Sequence, residues 1–283
     1  MTTHILERTL IRARGNNLLR PLGRRVLRIP GAGRVLRRFM HEVLPKGKRA
    51  WVQIPNGPAE GLWLKVEPYL EEQYFTGCPE PAVQAGIVEL IRPGGCFYDV
   101  GAHIGYYSLM AARLVGQAGH IVAFEPDPAN VAVLQENLSR NNFPQVDVIP
   151  AAVWKHSGRV TFQRSAAESS EVSSRRGAVV GANGEAPGSG RIRVEAVSLD
   201  DFVRDHRLPN MIKIDVEGAE VETLQGARNL IVRTRPILLV EVHHQLAASF
   251  LENQLRQSDY RIEWLARHAK FPFPRHLLAR PWS

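Results

Sequence analysis

The sequence predicts an α/β fold built around one mostly parallel sheet. Three observations carry this expectation. From residue 96 onward, short apolar runs alternate with stretches of helical periodicity, the pattern that gives parallel strands joined by crossover helices. One of those strands runs through Asp99-Val100-Gly101 into a helix opened by Gly105. Later strands finish in acids at what should be the same edge of the sheet, at Glu125, Asp215 and Glu241.

Taken in order, residues 1–50 form a basic extension in which Ile5, Leu6, Leu10 and Ile11, then Leu18, Leu19 and Leu22, fit short amphipathic helices. Residues 51–54 and 62–66 read as a hairpin around a Pro-Asn-Gly-Pro turn, and a helix over 83–91 ends at Pro93-Gly94-Gly95. Residues 51–95 thus precede the core as hairpin and helix. The core, 96–270, runs strand 96–100, helix 104–115, strand 120–124, helix 127–140, strand 146–150, helix 199–206, strand 211–215, helix 218–232, strand 236–243 and helix 246–257. Two further strand-like pieces, 158–163 and 191–197, flank a Ser/Ala/Gly-rich insertion at 164–190. Its composition buries little apolar surface, so it reads as a mobile surface loop, with a lid over a substrate site as the alternative. Residues 271–283 read as a C-terminal tail.

Composition fits a globular enzyme: 44% of the 283 residues are hydrophobic and 23% charged. No apolar run approaches the ~18 residues that span a bilayer, and no secretory leader is visible, so a cytoplasmic enzyme is the expectation. Cys78 and Cys96 form no metal-type pair and read as ordinary buried thiols. The net charge of +8 is concentrated at one end. Residues 1–50 hold 13 Lys/Arg against Glu7 and Glu42, whereas the remainder has 23 bases against 26 acids. The arm could rest peripherally on an anionic membrane, but a solvated extension packing its leucines on the core is the plainer reading. Nucleic acid is a disfavoured partner because the core is net acidic. Nothing in the sequence sets an oligomeric state.

In the segment from Phe97 to Ser108, Gly101 allows a tight turn at the strand's carboxyl end, and Gly105 allows helix and ligand to approach closely. Asp99 can meet the ammonium of an amino-acid-bearing cofactor, whereas an acid beside a pyrophosphate would repel it. The turn also lacks the central glycine of G-x-G-x-x-G. Glu125 lies 20 residues past Gly105, the separation at which a second-strand acid accepts ribose hydroxyls. Asp127 reads as the N-cap of the next helix, ahead of Pro128. Ala151 and Ala152, at the edge of the third strand, could sandwich a flat adenine, or simply pack closely. Asp215 is the leading catalytic candidate, with helix N-capping as its structural alternative and Glu217 beside it. His243, after the fifth strand, is a further candidate base.

These residues resemble the FkbM-type methyltransferases of the class I S-adenosylmethionine-dependent superfamily. The resemblance rests on Asp99 through Gly105, Phe124-Glu125-Pro126, Glu136-Asn137-Leu138 through Asn141, Val197 through Asp201, Ile212 through Glu220, and Leu239 through His243. It implies a Rossmann-like, seven-stranded class I sheet with S-adenosylmethionine as cofactor and methylation of a hydroxyl on a small molecule or sugar. Asp99, Gly101 and Gly105 would line the methionine side, Glu125 would hold the ribose and Asp215 would face the methyl-transfer centre, with Ala102, His103 and Pro126 also counted among the cofactor residues. Glu80, in a segment similar to the family's approach to the core, is counted with the cofactor residues. Pro79 replaces an aromatic there, and His103 stands where asparagine is common.

An alcohol is a poor nucleophile until its proton is removed, which Asp215, Glu217 or His243 could do. A divalent ion on Asp215, Glu217 and Glu241 is an alternative, although metal dependence is not expected. Two rival functions are an RNA methyltransferase and a non-catalytic ligand-binding protein tethered by its basic arm. The first sits poorly with a fourth strand ending in D-V-E-G in place of a base-clamping Asn/Asp-Pro-Pro-aromatic loop.

Overall fold

The computed structural model describes residues 47–68, 71–76, 79–164, 177–181, 190–265, 273 and 275–282. Most of the basic arm, with its expected membrane contact, lies outside the described residues, as do Cys78 and most of the 164–190 insertion. Among the described residues, no helix is long and apolar enough to cross a membrane.

A two-stranded antiparallel hairpin, β1 (Ala50–Gln53) and β2 (Trp63–Val66), comes first, followed by a single turn α1 (Gln73–Thr76) and α2 (Pro81–Leu90). The alternating core then begins with β3 (Cys96–Val100), α3 (Tyr106–Val115), β4 (His120–Phe124), α4 (Pro128–Asn141) and β5 (Val146–Ile149). Four short strands build a second sheet: β6 (Ala151–Val153), β7 (Gly158–Gln163), β8 (Ala178–Gly181) and β9 (Arg191–Val197). The chain returns through α5 (Leu199–Phe202), β10 (Met211–Ile214), α6 (Glu220–Gln225), α7 (Arg228–Thr234), β11 (Ile237–Val242) and α8 (Gln245–Gln257). It closes with β12 (Tyr260–Leu265) and β13 (Arg275–Pro281).

The central sheet has seven strands in the order β12-β13-β11-β10-β3-β4-β5. Its five strands from β11 to β5 run parallel, and β13 lies antiparallel to both neighbours. Side chains alternate across a strand. Phe97 therefore enters the apolar layer under α2 and α3, while Tyr98 and Val100 enter the layer under α7 and α8. Asp99 follows Phe97 onto the first face and is fully buried there.

Several expectations change. The strand expected over 146–150 stops before Pro150, which cannot donate to a ladder. The next three residues turn away and pair with β9. Within the insertion, residues 178–181 form β8 and pair with β7, so that part is structured. The helix expected over 218–232 breaks at Gly226, which packs so closely on the Trp154 carbonyl that a Cβ would collide with it. The helix expected over 199–206 is one turn, capped by the Ser198 side chain; Asp200 within it accepts from the main-chain N–H groups of Asn229 and Leu230 at the start of α7. The segment read as a tail supplies β13, and β12 too went unpredicted.

The Asn137 and Asn141 side chains extend the hairpin's hydrogen bonding. Asn141 bonds both the N–H and the carbonyl of Trp63, and Asn137 accepts from Lys65 N–H. Asn137 also donates to the Ile104 carbonyl at 2.8 Å, tying α4 to the glycine turn.

Candidate active site

Ligands of open α/β sheets bind beyond the carboxyl ends of the parallel strands, and the sharpest chemistry here gathers at that edge. Gly101 takes φ of 83°, a left-handed value, and a Cβ on it would collide with the Asp215 carbonyl. Only glycine lets β3 and β10 come this close at their ends. Gly105, φ 90°, plays the same part against Leu134 of α4. Ala102 is buried and its N–H donates to the Phe124 carbonyl, fixing the turn to β4.

One cleft of about 500 Å³, open mouth included, lies over this turn. Gly101, His103, Glu125, Pro126, Ala151, Ala152, Asp215 and Glu217 all line it. Glu125 is almost fully buried and accepts from His103 N–H at 2.8 Å, Asp127 N–H at 2.9 Å and the Asn130 amide at 3.3 Å. Burial pushes its carboxyl up to about 7, with those donors pulling the other way. Asp127 caps α4 by accepting from Ala129 N–H, as expected from the sequence.

Asp99 lies behind the cleft wall, where Ser108 Oγ donates to it at 2.6 Å. In the sheet register Asp99 sits opposite Lys213, whose ammonium is 3.9 Å from Asp99 and 3.2 Å from Asp215. The Lys213 ammonium also stands 4.8 Å from the Tyr107 ring centre. Two buried carboxylates thus share one buried cation, without which their charges would be prohibitively costly.

Glu80 and His243 occupy a neighbouring ionic cluster. Glu80 accepts from the Tyr107 hydroxyl at 2.6 Å and meets His276 of β13 at 3.1 Å. Burial would raise its carboxyl, but His276 and Tyr107 outweigh that and bring it down to about 2. His276 also faces Glu241 at 3.7 Å. Despite burial, which would lower it, the pKa of His276 is raised by Glu241 and Glu80 to about 9.

His243 lies between Glu217 at 3.1 Å and Glu220 at 2.7 Å. Burial works against its charge, yet the two carboxylates raise it to about 10. Oxygen and nitrogen atoms of Asp215, Glu241 and His243 fall within 4.8 Å of one another. Both His243 nitrogens are already engaged by carboxylates, and the protein's own charges account for that arrangement.

Sequence reasoning missed Lys213, Tyr107, Ser108 and His276. A lysine inside an otherwise apolar parallel strand was a readable signal for the first. His276 had none, because its strand was not foreseen.

The Methyltransferase FkbM domain profile matches residues 99–262. The hexuronic acid methyltransferase AglP of Haloferax volcanii is 28% identical over 163 residues, covering 56% of this chain and 59% of that protein. A ribosomal protein L11 methyltransferase of Myxococcus xanthus is 33% identical over 108 residues, 35% of this chain and 36% of that one. The crystal structure of an FkbM methyltransferase from Methylobacillus flagellatus superimposes with a TM-score of 0.49 at 20% identity, covering 76% of this chain and 55% of that one. The chain therefore spans less than two thirds of the length of each of these proteins. With the profile match running from Asp99 at the glycine turn to Ile262 in β12, more than half of the sequence, this chain belongs to the FkbM methyltransferase family.

Proposed function

We propose that the chain transfers a methyl group from S-adenosylmethionine to a hydroxyl of a small-molecule or sugar acceptor. One observation carries the reading: a single cleft brings together the glycine turn after β3, Glu125 after β4 and Asp215 after β10. The hexuronic acid specificity named for the Haloferax relative supports a sugar-type acceptor.

The residues suit this cofactor. Gly101 leaves backbone bare at the cleft floor, Asp99 and Asp215 place negative charge near it, and Ala151, Ala152 and Val153 give an apolar end. Glu125 would hold the ribose, and the glycine turn with Asp99 behind it the amino-acid portion. Bound S-adenosylmethionine supplies an electrophilic methyl group on a sulfonium.

The protein's part is alignment, charge and removal of the acceptor's proton. Asp215 reaches the cleft between Gly101 and Glu217 and takes that proton. His243 does not: with a pKa near 10 it is an imidazolium at neutral pH and has no site for a further proton. It serves instead to hold Glu217, which lines the same cleft.

The test pairs calorimetry with labelled cofactor. S-adenosylhomocysteine should bind stoichiometrically, and label from S-adenosylmethionine should appear on an oxygen of an acceptor from a panel of sugars and uronic acids. Absence of any cofactor binding would sink the reading; label on nitrogen or carbon would remove the hydroxyl acceptor.

A further inference from the structure

We propose that the second sheet is the wall that recognises the base of the nucleoside cofactor, with Phe162 as its apolar seat and the Arg164–Asp127 pair as the clasp holding that wall closed. The inference rests on the reading of the cleft as an S-adenosylmethionine site, and it assigns residues outside the glycine turn and the strand-end acids.

The cleft carries charged groups where the parallel strands finish and is lined by apolar residues along the second sheet. Gly101, Asp215 and Glu217 lie at the end where the parallel strands finish, with Glu125 next along. The second sheet contributes Ala151, Ala152 and Val153 on β6, Phe162 on β7, and Gly177 and Val179 at β8. A nucleoside whose ribose meets Glu125 has its ring system directed at this sheet, where a flat heteroaromatic face can lie on apolar and aromatic surface. Ala151 and Ala152 supply only a floor. Among the described residues, Phe162 is the one aromatic side chain that the second sheet contributes to the cleft.

Two observations show that Phe162 is held in place. Gly177 packs on the ring so closely that a Cβ would collide with its edge, so β8 and its approach sit directly on Phe162. At the end of β7, Arg164 reaches across to Asp127 in the loop following Glu125, with contacts of 2.5 and 3.0 Å. This two-point guanidinium–carboxylate pair joins the second sheet to the ribose side of the cleft, and its planar geometry fixes both distance and angle. Asp127 also caps α4, so the clasp is anchored on the central domain.

The experiment measures binding of S-adenosylhomocysteine and adenosine by calorimetry to the full chain and to three variants. Phe162→Leu keeps apolar volume and tests the ring without emptying the small core around it. It should weaken both ligands by a similar factor, about five- to tenfold for loss of a base–aromatic contact. Arg164→Gln, on the half-exposed clasp, should weaken both by about threefold, within the range of a partly exposed ion pair. Glu125→Gln reports on the cofactor reading itself. If Glu125→Gln weakens binding while Phe162→Leu and Arg164→Gln bind as the parent does, the base wall is wrong and the cofactor site stands. If the parent binds neither ligand, the cofactor reading fails and the wall with it. Gly177→Ala gives a second check on the ring: displacing Phe162 should lower affinity, and unchanged affinity would overturn its role as seat.

Discussion

The two sides of the sheet edge, the proposed donor side around β4 and the proposed acceptor side around β11, are built on opposite principles. Around β3, β4 and β6 the cleft is shaped by glycines, alanines and main-chain donors, and its central acid, Glu125, is held so dry that its pKa reaches about 7. Around β10, β11 and β13, charges are packed densely and paired: Lys213 with Asp99 and Asp215, His243 with Glu217 and Glu220, His276 with Glu80 and Glu241. A ligand on the first side is selected by fit. On the second side the protein fixes its own charges beforehand, the preorganisation that makes electrostatic stabilisation effective in a water-poor site.

The largest expected effect falls where the two sides meet. Asp215→Asn should leave S-adenosylhomocysteine affinity nearly unchanged and slow single-turnover methyl transfer by about 10²- to 10⁴-fold, the usual contribution of a general base. An undiminished rate would move the base to Glu217.

On the acceptor side, His243→Gln leaves Glu217 and Glu220 facing each other without their cation. The expected cost is about 3 kcal/mol of stability, as for breaking a buried pair, read by urea denaturation at pH 7. The folded pKa of about 10 lies above the ordinary 6.5. The stabilisation is therefore complete below about pH 6.5 and is lost as pH rises through about 10. Parent and variant should converge in stability at the alkaline end. A constant gap across that range would show that His243 acts by packing alone.

The donor side depends on scaffold bonds more than on charge pairs. Asn137→Ala removes its bonds to the Ile104 carbonyl and to Lys65 N–H, leaving polar main chain unpartnered. It should cost about 2 kcal/mol with no dependence on pH between 6 and 10, in contrast to His243→Gln. The smallest effect concerns Glu125. A ribose hydroxyl donates to the ionised carboxylate, so cofactor affinity should fall as pH is lowered through about 7. Glu125→Gln should bind about tenfold more weakly at pH 8, as for loss of one charge-assisted bond, with a flat profile. A pH-independent parent would mean that burial does not set the behaviour of Glu125.

The same contrast explains what could be read from sequence. The donor side was legible because its residues are contiguous: the turn from Asp99 to Gly105, and Glu125-Pro126-Asp127 one unit later, announce strand, glycine and helix by local rules alone. β3 and β4 lie where periodicity placed them. The acceptor side is assembled from sequence-distant pieces. Glu80 precedes α2, Glu241 ends β11 and His276 belongs to β13, and their encounter depends on strand order. Of the second sheet, β7 and β9 were legible as strands over 158–163 and 191–197, but their assembly with β6 was not. Pro150 lies inside an apolar run that reads as one strand, and only tertiary pairing shows that the chain changes sheets there.

The placement of β13 between β11 and β12 has a kinetic consequence. β12 is synthesised first, yet among the described residues its only ladder partner is β13. On a nascent chain, β12 must wait beside a half-built edge until the following hairpin arm emerges and inserts. His276 arrives with that arm, so Glu80 and Glu241 gain their shared counter-charge only once β13 is inserted between its neighbours. Neutralisation of this acidic corner is thereby coupled to the insertion of β13.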